Sequence, residues 1–404
     1  MLEWAERAQA RGDRATAIRV YRSMLLDEDQ DARHEARFRL ARLLALDGKL
    51  SEAAILLRQV IDDRPDAASA RFAMAQLLVR IGDETAARRE LRALQATQLP
   101  LESARLVDRF SDSLRIHKPF GASIELAVAP DSNINRATRS DTIGTVIGPF
   151  EISEDGQAVS GTGLAIRGQL HGRFAIGETA NLSGRLSASA DLYASGAFND
   201  VAVEATVGPE LRLGRNLVRL EGGAGRRWFG GRPFLDSARI AASVTRPLGR
   251  RAQIRATGSV AVIDHRLNDL QDGRAFGGSV AIERALSPTT GLGVSLAGDR
   301  QALRDPAYST FSWRASVIGW REVGRTTLTA TVDYGRLEAD DRLLLFPSRR
   351  RESFARASLG ATFRQFTFRG FAPLVRYSIE RNRSSIEVYD YARRRAEFGI
   401  TRAF

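Results

Sequence analysis

The sequence predicts an α + β chain of two domains: an N-terminal α-helical solenoid over residues 1–118 and a 14-stranded antiparallel transmembrane β-barrel over residues 119–404. Before Lys118, apolar residues recur at helical spacing; from Gly121 onward they recur at every second position almost to Phe404. In this second part, apolar residues share one face of each strand and arginines the other. That combination is typical of a membrane barrel that carries a soluble head.

Composition narrows the chemistry without choosing a function. The 404 residues include 60 Lys+Arg and 48 Asp+Glu, for a formal net charge of +12. The first 118 residues hold 21 basic and 19 acidic side chains and the remainder 39 and 29, so the excess lies in the strand-rich part. Lysine occurs at Lys49 and Lys118 alone, so this excess is arginine, which suits lipid phosphates and acidic cargo.

Membrane spanning by helices is excluded, because no apolar run approaches the roughly 18–20 residues that such a helix needs. Barrel strands alternate and form no such run. The first residues, MLEWAERAQARGD, do not form a secretory signal, so we expect an export signal to be absent from this numbering. The chain has no cysteine, which removes disulfide and thiolate chemistry.

The helical part repeats. Three segments align on Gly12, Gly48 and Gly82, and each has a small residue five positions later, at Ala17, Ala53 and Ala87. A helix–turn–helix unit of about 34 residues is the period of the tetratricopeptide repeat, which these segments resemble. Such repeats stack into a curved solenoid that often binds a peptide. We expect capture of cargo or a partner; a helical spacer is the alternative.

Period-2 alternation predicts the strands. Leu182, Leu186 and Leu192 alternate with polar residues, as do Leu328 and Val332. The predicted strands cover residues 121–129, 160–175, 179–193, 199–213, 216–228, 236–247, 251–264, 274–286, 291–303, 308–322, 325–338, 351–363, 366–382 and 391–404. An even number of strands is usual for bacterial outer-membrane barrels.

The connections predict the orientation of the barrel. Every second connection is a tight turn, as at Gly214-Arg215, Gly249-Arg250 and Val323-Gly324, and most of the others are longer, notably residues 130–159 and 339–350. Short turns are periplasmic and long loops external in such barrels. Both ends of the barrel then lie on the short-turn side. We therefore expect a protein of the bacterial outer membrane whose N-terminal domain is in the periplasm.

Eight arginines fall on the polar parity of the predicted strands, so they are expected to line the lumen. On the lipid face each would cost about 2–4 kcal/mol near the bilayer midplane. Two interpretations remain open: a solvated wall balanced by acidic neighbours such as Asp191, Glu221 and Asp333, or an electropositive conduit that contacts a passing acidic or polar chain. The eight are Arg167, Arg173, Arg185, Arg219, Arg227, Arg255, Arg314 and Arg356.

The most distinctive motif is APDSNINRAT, residues 129–138, directly after the first strand. Taken alone it predicts a turn, because Asp and Asn side chains bond nearby backbone amides. Together with the repeat-containing head, the fourteen strands and the C-terminal Phe404, it resembles the surface lipoprotein assembly modifiers. That resemblance implies an outer-membrane translocon for proteins or lipoproteins, in which Pro130, Asp131, Ser132, Asn133 and Asn135 hold a shared loop or lumen structure.

The C-terminal Phe404 also resembles the signal by which barrels are recognised for assembly, so the barrel-assembly machinery is an expected partner. Outer-membrane lipid and lipopolysaccharide are further expected partners, through the arginine clusters 349–351 and 393–395 near the predicted external ends. Nucleic acid is not expected as a partner, because aromatic residues are not interleaved with the basic ones as stacking platforms.

Catalysis is not expected. Four scattered histidines form no metal-ligand cluster, and neither a nucleophile elbow nor a phosphate-binding loop lies between a strand and a helix, so no cofactor is predicted. His171 could in principle pair with a serine in a barrel hydrolase, but a lumen-lining histidine is the favoured interpretation. The remaining alternatives to a translocon are a polysaccharide-export porin, which usually has a longer repeat array, and a passive diffusion porin.

Overall fold

The computed structural model of the chain describes residues 1–95, 120–177 and 179–402. Within these residues, six helices precede a closed antiparallel barrel of fourteen strands, so the predicted fold class is confirmed. The predicted domain boundary between residues 118 and 119 lies outside the described residues. The assignment of tetratricopeptide repeats stays a prediction.

The head, residues 2–95, consists of three helical hairpins. Its helices are α1 (Leu2–Ala10), α2 (Arg14–Met24), α3 (Gln30–Leu46), α4 (Leu50–Asp63), α5 (Ala68–Ile81) and α6 (Glu84–Gln95). Gly12, Gly48 and Gly82 occupy the turns within the hairpins, with φ of 81°, 78° and 97°. Such positive φ angles strain any residue with a Cβ atom, so glycine ends the first helix of each pair.

Small residues let the helices of the head pack closely. Ala17, Ala53 and Ala87 are fully buried, and Tyr21 and Leu91 are buried one turn further along. These residues belong to one apolar core that runs through all six helices. The small residues of the three aligned segments thus lie in the core of the head.

The barrel closes through pairing of its first and last strands. Its fourteen strands are β1 (Phe120–Asp131), β4 (Gly161–Ala175), β5 (Ala180–Tyr193), β6 (Asp200–Leu213), β7 (Asn216–Phe229), β8 (Arg232–Leu248), β9 (Ala252–His265), β10 (Gly273–Ser287), β11 (Thr290–Leu303), β12 (Thr310–Val323), β13 (Thr326–Ala339), β14 (Arg351–Phe363), β15 (Phe371–Ser384) and β16 (Tyr391–Arg402). The strands β2 (Thr142–Thr145) and β3 (Gly148–Glu151) form a hairpin within the loop after β1.

The two faces of the barrel differ as the alternation predicts. Large apolar side chains such as Ile240, Val332 and Leu359 lie exposed on the outside, with 58–71% of their surface accessible. Closed pairing leaves no sheet edge, which is what a bilayer requires of strands. The architecture is that of an outer-membrane β-barrel. None of the described helices is both long and apolar enough to cross a bilayer.

The two rims of the barrel are different. Tight turns at Gly214, Gly249 and Gly324, all with positive φ, join alternate strands on one side, which we call the short-turn rim. Longer connections, including residues 132–160 and 340–350, lie on the opposite, long-loop side. Because β1 begins and β16 ends at the short-turn rim, the head joins the barrel on that side.

Candidate functional site

The first candidate site is the seam, which we define as the junction of β1 and β16. β1 pairs with β4 from Phe120 to Asp131. Among the described residues, its pairing with β16 runs from Glu125↔Thr401 to Asp131↔Arg395 and leaves out Ala129 and Pro130. Pro130 has no N–H group, so it cannot donate to the ladder. Within the described residues, the backbone ladder at the seam is therefore interrupted at these two positions, whereas the β1–β4 ladder is continuous.

The motif residues bond across the seam at its long-loop end. The N–H of Ser132 donates to the Arg394 carbonyl at 3.0 Å, and the Arg394 N–H donates to the Ser132 hydroxyl at 2.8 Å. The fully buried Asn133 side chain donates to the Ala392 carbonyl at 3.1 Å and accepts from the Ala137 N–H at 3.0 Å. These bonds hold the loop on the last strand.

Asn135 anchors the other end of the same loop. Its side-chain amide donates to the Gln157 carbonyl at 2.6 Å, and its side-chain oxygen accepts from the Val159 N–H at 3.1 Å. The neighbouring Ile134 N–H donates to the Val159 carbonyl at 2.8 Å. The motif thus links the start of the long loop both to the end of that loop and to β16. Pro130 lies exposed on the outer face.

Asp131 forms the central ion pair of the seam. Its carboxylate has no exposed surface and accepts from Arg393 Nε at 3.0 and 2.9 Å, with Arg393 Nη2 as a further donor. Its Oδ1 also accepts from the Asn133 N–H at 3.0 Å. The Arg393 side chain is 7% exposed, so both charges depend on each other for solvation.

This pair continues into a chain of alternating charges, which we call the seam network. Arg395 contacts Asp131 at 3.6 Å, Asp191 at 2.6 Å and Glu397 at 3.1 Å. Glu397 in turn accepts from Arg167 at 2.8 Å and from Arg376 at 2.6 Å. Both of these arginines also reach Glu125. The network comprises Arg167, Arg376, Arg393, Arg395, Glu125, Asp131, Asp191 and Glu397, so its four positive and four negative charges balance.

The wall beneath the seam network consists of small residues. Ala127, Ala129 and Ala165 form a buried cluster on β1 and β4. A Cβ atom on Gly399 would lie 2.0 Å from the Leu126 carbonyl oxygen, far inside van der Waals contact. Glycine at this position lets β16 lie directly against β1.

The second candidate site is the contact between the head and the short-turn rim. On the α4 side, Asp62 pairs with Arg364 at 2.5 Å and Asp63 with Arg325 at 3.2 Å. Both arginines lie in turns between strands. Burial raises the pKa of Asp62, although the charge of Arg364 opposes that effect. The pKa of Asp63 is lowered, because the effect of burial is outweighed by hydrogen bonding to His34 and by the charge of Arg325.

A buried charge cluster connects the same face of the head to β12. Glu90 accepts from Arg58 at 2.6 Å and from Arg71 at 2.7 Å, and the two arginines reach Glu322 at 3.2 and 3.6 Å. Burial alone would raise the pKa of Glu90, but Arg58 and Arg71 together outweigh it and hold that pKa below its ordinary value. Arg71 is fully buried and also donates to the Pro65 carbonyl at 2.7 Å.

Further contacts lie around the rest of the rim. Arg92 of α6 pairs with Glu283 at 3.1 Å, and Arg251 donates to the Gln95 carbonyl at 3.3 Å. Across the mouth, the His171 Nε2 atom lies 2.8 Å from the Gly82 carbonyl oxygen. The head therefore lies over the short-turn mouth and is held by polar contacts on several sides.

A cavity of about 1090 Å³ lies between the head and the barrel. Gly48, Leu50 and Ile81 line it from the head; the barrel part of the lining includes Phe120–Ser123 of β1, Gln169–Phe174 of β4, Arg185 and Arg402. The cavity therefore lies beside the short-turn end of the seam. Its volume lies just above the roughly 300–1,000 Å³ that is usual for small-molecule pockets.

The eight predicted lumen arginines all lie on the strand face opposite to the exposed apolar side chains. Most of them form ion pairs with neighbouring carboxylates. Glu125 and Glu397 pair with Arg167, Glu210 with Arg173 and Arg219, Glu221 with Arg185, and Asp200 with Arg227; Arg255 donates to the Thr245 hydroxyl, Arg314 lies over the Phe354 ring, and Arg356 lies opposite Asp333. The seam network brings Arg167 together with the motif residue Asp131.

Several residues of the two candidate sites were not assigned to them from the sequence. Arg393 and Arg395 belong to a cluster expected near lipid, but their side chains are buried inside the barrel. Their parity carries the signal: both alternate with Phe398 and Ile400, which lie on the outer face. The rim partners Asp62 and Arg364 had no such signal, since they are separated by 302 residues.

Comparison with known proteins gives a family. A family model described as surface lipoprotein assembly modifier matches residues 121–404. The curated protein surface lipoprotein assembly modifier 1 of Neisseria meningitidis serogroup B is 27% identical over 143 residues, which is 35% of this chain. The match spans 29% of that relative's own length.

Solved barrels resemble the chain in part. A loop-deletion mutant of OmpT, an outer membrane protein of Vibrio cholerae, is 11% identical with a TM-score of 0.40, over 70% of this chain and 98% of that one. OccAB3 of Acinetobacter baumannii is 8% identical with a TM-score of 0.38, over 69% and 98%.

Proposed function

The chain belongs to the surface lipoprotein assembly modifier family, and we propose that it is an outer-membrane translocon that passes proteins or lipoproteins to the cell surface. In this proposal the head lies in the periplasm and captures cargo, and the barrel passes it outward. Catalytic residues and cofactors have no part in it. Each step is binding, admission or release of a polypeptide.

The observation that carries this proposal is the cavity between the head and the seam. The head covers the short-turn mouth, and the cavity of about 1090 Å³ lies between them, directly beside β1 and the end of β16. Cargo held by the head reaches the barrel through this cavity. It then meets the junction of β1 and β16, whose described backbone ladder is interrupted at Ala129 and Pro130.

We place the outward path along the lumen side of the seam, which opens by separation of β1 and β16. The seam network holds this junction closed at rest, because separating the strands would leave buried charges such as Asp131 and Arg393 unpaired. Polar groups of the passing chain can replace those contacts. Opening therefore depends on cargo.

A passive diffusion porin is the less favoured alternative. A diffusion pore needs an open mouth, but the head contacts the rim at Arg325, Arg364 and Glu322 on one side and at Glu283 and His171 elsewhere. We expect the intact chain to conduct small ions poorly.

Lipopolysaccharide and the barrel-assembly machinery remain proposed partners. At the long-loop end, Arg349 and Arg351 share the exposed Glu338, and Arg394 points outward. Arginines at that level can bind lipid phosphates.

The test is surface exposure of a lipoprotein in a Gram-negative host that has no family member of its own. The host would express a lipoprotein encoded beside this gene, with or without the chain, and intact cells would be treated with protease. We expect cleavage of the lipoprotein when the chain is present. Equal protection in both strains, at equal total amounts of lipoprotein, would contradict the proposal.

A further inference from the structure

A cavity of about 760 Å³ lies within the barrel, on the long-loop side of the lumen. Its lining includes five arginines and three carboxylates, and hydroxyl groups from Thr257, Ser259, Ser279 and Ser312. Phe354, Tyr389 and Tyr391 supply aromatic surface. The lining thus combines hydrogen-bonding groups with an excess of basic over acidic side chains, and the cavity is separate from the cavity beneath the head.

Arg314 and Arg356 differ from the other six predicted lumen arginines. Five of those six form an ion pair with a carboxylate, and Arg255 bonds to a hydroxyl. Within the described part of the chain, neither Arg314 nor Arg356 forms an ion pair, and both line the same cavity. Ion pairing with acidic neighbours therefore accounts for five of the eight predicted lumen arginines but not for these two.

Arg356 lacks a partner even though acidic residues lie opposite it on both neighbouring strands. In the strand register it faces Asp333 on β13 and Glu380 on β15. The Asp333 carboxylate accepts from the Ser316 hydroxyl at 2.6 Å. Glu380 accepts from the Tyr391 hydroxyl at 2.5 Å and pairs with Arg136 at 3.4 Å. Each of these carboxylates has another hydrogen-bond donor, and within the described residues neither lies within ion-pair distance of Arg356.

Arg314 is held by stacking. Its guanidinium carbon lies 4.8 Å from the centre of the Phe354 ring. This cation–π contact gives Arg314 no carboxylate partner, and a guanidinium group can bind a carboxylate with two parallel hydrogen bonds. The cavity carboxylate Glu352 accepts from Arg350 at 2.6 Å.

We propose that Arg314 and Arg356 form a binding site for carboxylate side chains of an extended polypeptide inside the lumen. Two free arginines, hydroxyl groups and an aromatic wall suit a chain with closely spaced acidic residues. The assignment of the ligand to a polypeptide rests on the proposed function. The site would retain the passing chain on the long-loop side.

The test is calorimetric titration of the purified full chain in detergent micelles with the capped peptide hexaglutamate. We expect hexaglutamate to bind, and the double variant R314Q/R356Q to raise its Kd by about tenfold or more, the effect of losing one charge-assisted contact. The matched control is R227Q/R239Q, which removes the same lumen charge at arginines paired with Asp200 and Glu204. The control should change Kd by less than about twofold, in keeping with screening of the general field by salt.

Three results would overturn the assignment: no binding to the unchanged chain, equal weakening by both double variants, or no weakening by R314Q/R356Q. Equal affinity for hexaglutamate and free glutarate would reject a polypeptide as the ligand. If R314Q/R356Q does not fold, R314K/R356K provides the test, because lysine keeps the charge and loses the two-pronged geometry. Binding is measured without export, so failure of this site and failure of the translocon proposal give separate results.

Discussion

Replacing Asp131 by asparagine should weaken the seam more than any exposed charge change weakens the barrel. Asn keeps the volume of the side chain but removes its charge, which leaves Arg393, 7% exposed, without its main counterion. Breaking a buried pair in this way costs about 3–5 kcal/mol. The exposed pair Asp340–Arg300 provides the control, because exposed ion pairs contribute about 1 kcal/mol or less.

Urea unfolding of the chain in micelles, followed by tryptophan fluorescence and by gel mobility without heating, measures both variants. D131N should lower the unfolding midpoint clearly and D340N barely. The double variant D131N/R393Q should cost less than the sum of the two single changes, because the second substitution removes the charge that the first left unpaired. Equal stability of D131N and D340N, or simple additivity of D131N and R393Q, would refute the reasoning.

Three further predictions concern the head and the glycine of the seam. Arg364→Asp should release the head and raise single-channel conductance, because losing one partner of a buried charge pair costs about 2–5 kcal/mol. Adding Asp62→Arg should restore the low conductance. Unchanged conductance in the single variant would contradict the docking. Because the pKa of Glu90 is lowered in the folded head, its contribution to stability is present above the ordinary value of 4.5 and is lost as pH falls through the lowered pKa. Thermal melting of the helices followed by circular dichroism should show this loss in the parent chain, and E90Q should be less stable near neutral pH with a flatter acid dependence. Gly399→Ala should lower the free energy of unfolding in urea by about 1–3 kcal/mol, because its Cβ atom would meet backbone atoms. Gly278→Ala should lower it very little, because its Cβ atom would meet open space. Equal effects of the two variants would argue against close contact at the seam.

Local pattern predicted most of the architecture. Alternation at Leu182, Leu186 and Leu192 gave the strands, and the three aligned glycines gave the turns of the helical hairpins. These features depend on residues close in sequence, so periodicity reports them. The parity of the predicted lumen arginines likewise follows from the pleat of a single strand.

The partners of these residues could not be predicted in the same way. Asp131 and Arg393 lie 262 residues apart, and their pairing depends on closure of the whole barrel. The docking of Asp62 on Arg364 depends in addition on how two domains meet. Parity could have placed Arg393 in the lumen, but it carries no information about which carboxylate the arginine would reach.

The central claim, that cargo passes at the seam, is tested most directly by a disulfide across it. The chain has no cysteine, and Val128 and Phe398 are paired in the register of β1 and β16 on the outer face. Paired antiparallel residues have Cα atoms about 4.5–5.5 Å apart, within reach of a disulfide. Val280 and Leu296 provide the same pairing between β10 and β11 as a control.

Export would be scored as protease sensitivity of the lipoprotein on intact cells, before and after reduction. Oxidised V128C/F398C should block surface exposure and recover it on reduction, while oxidised V280C/L296C should export normally. Normal export by the oxidised seam variant, with its disulfide verified, would contradict the account.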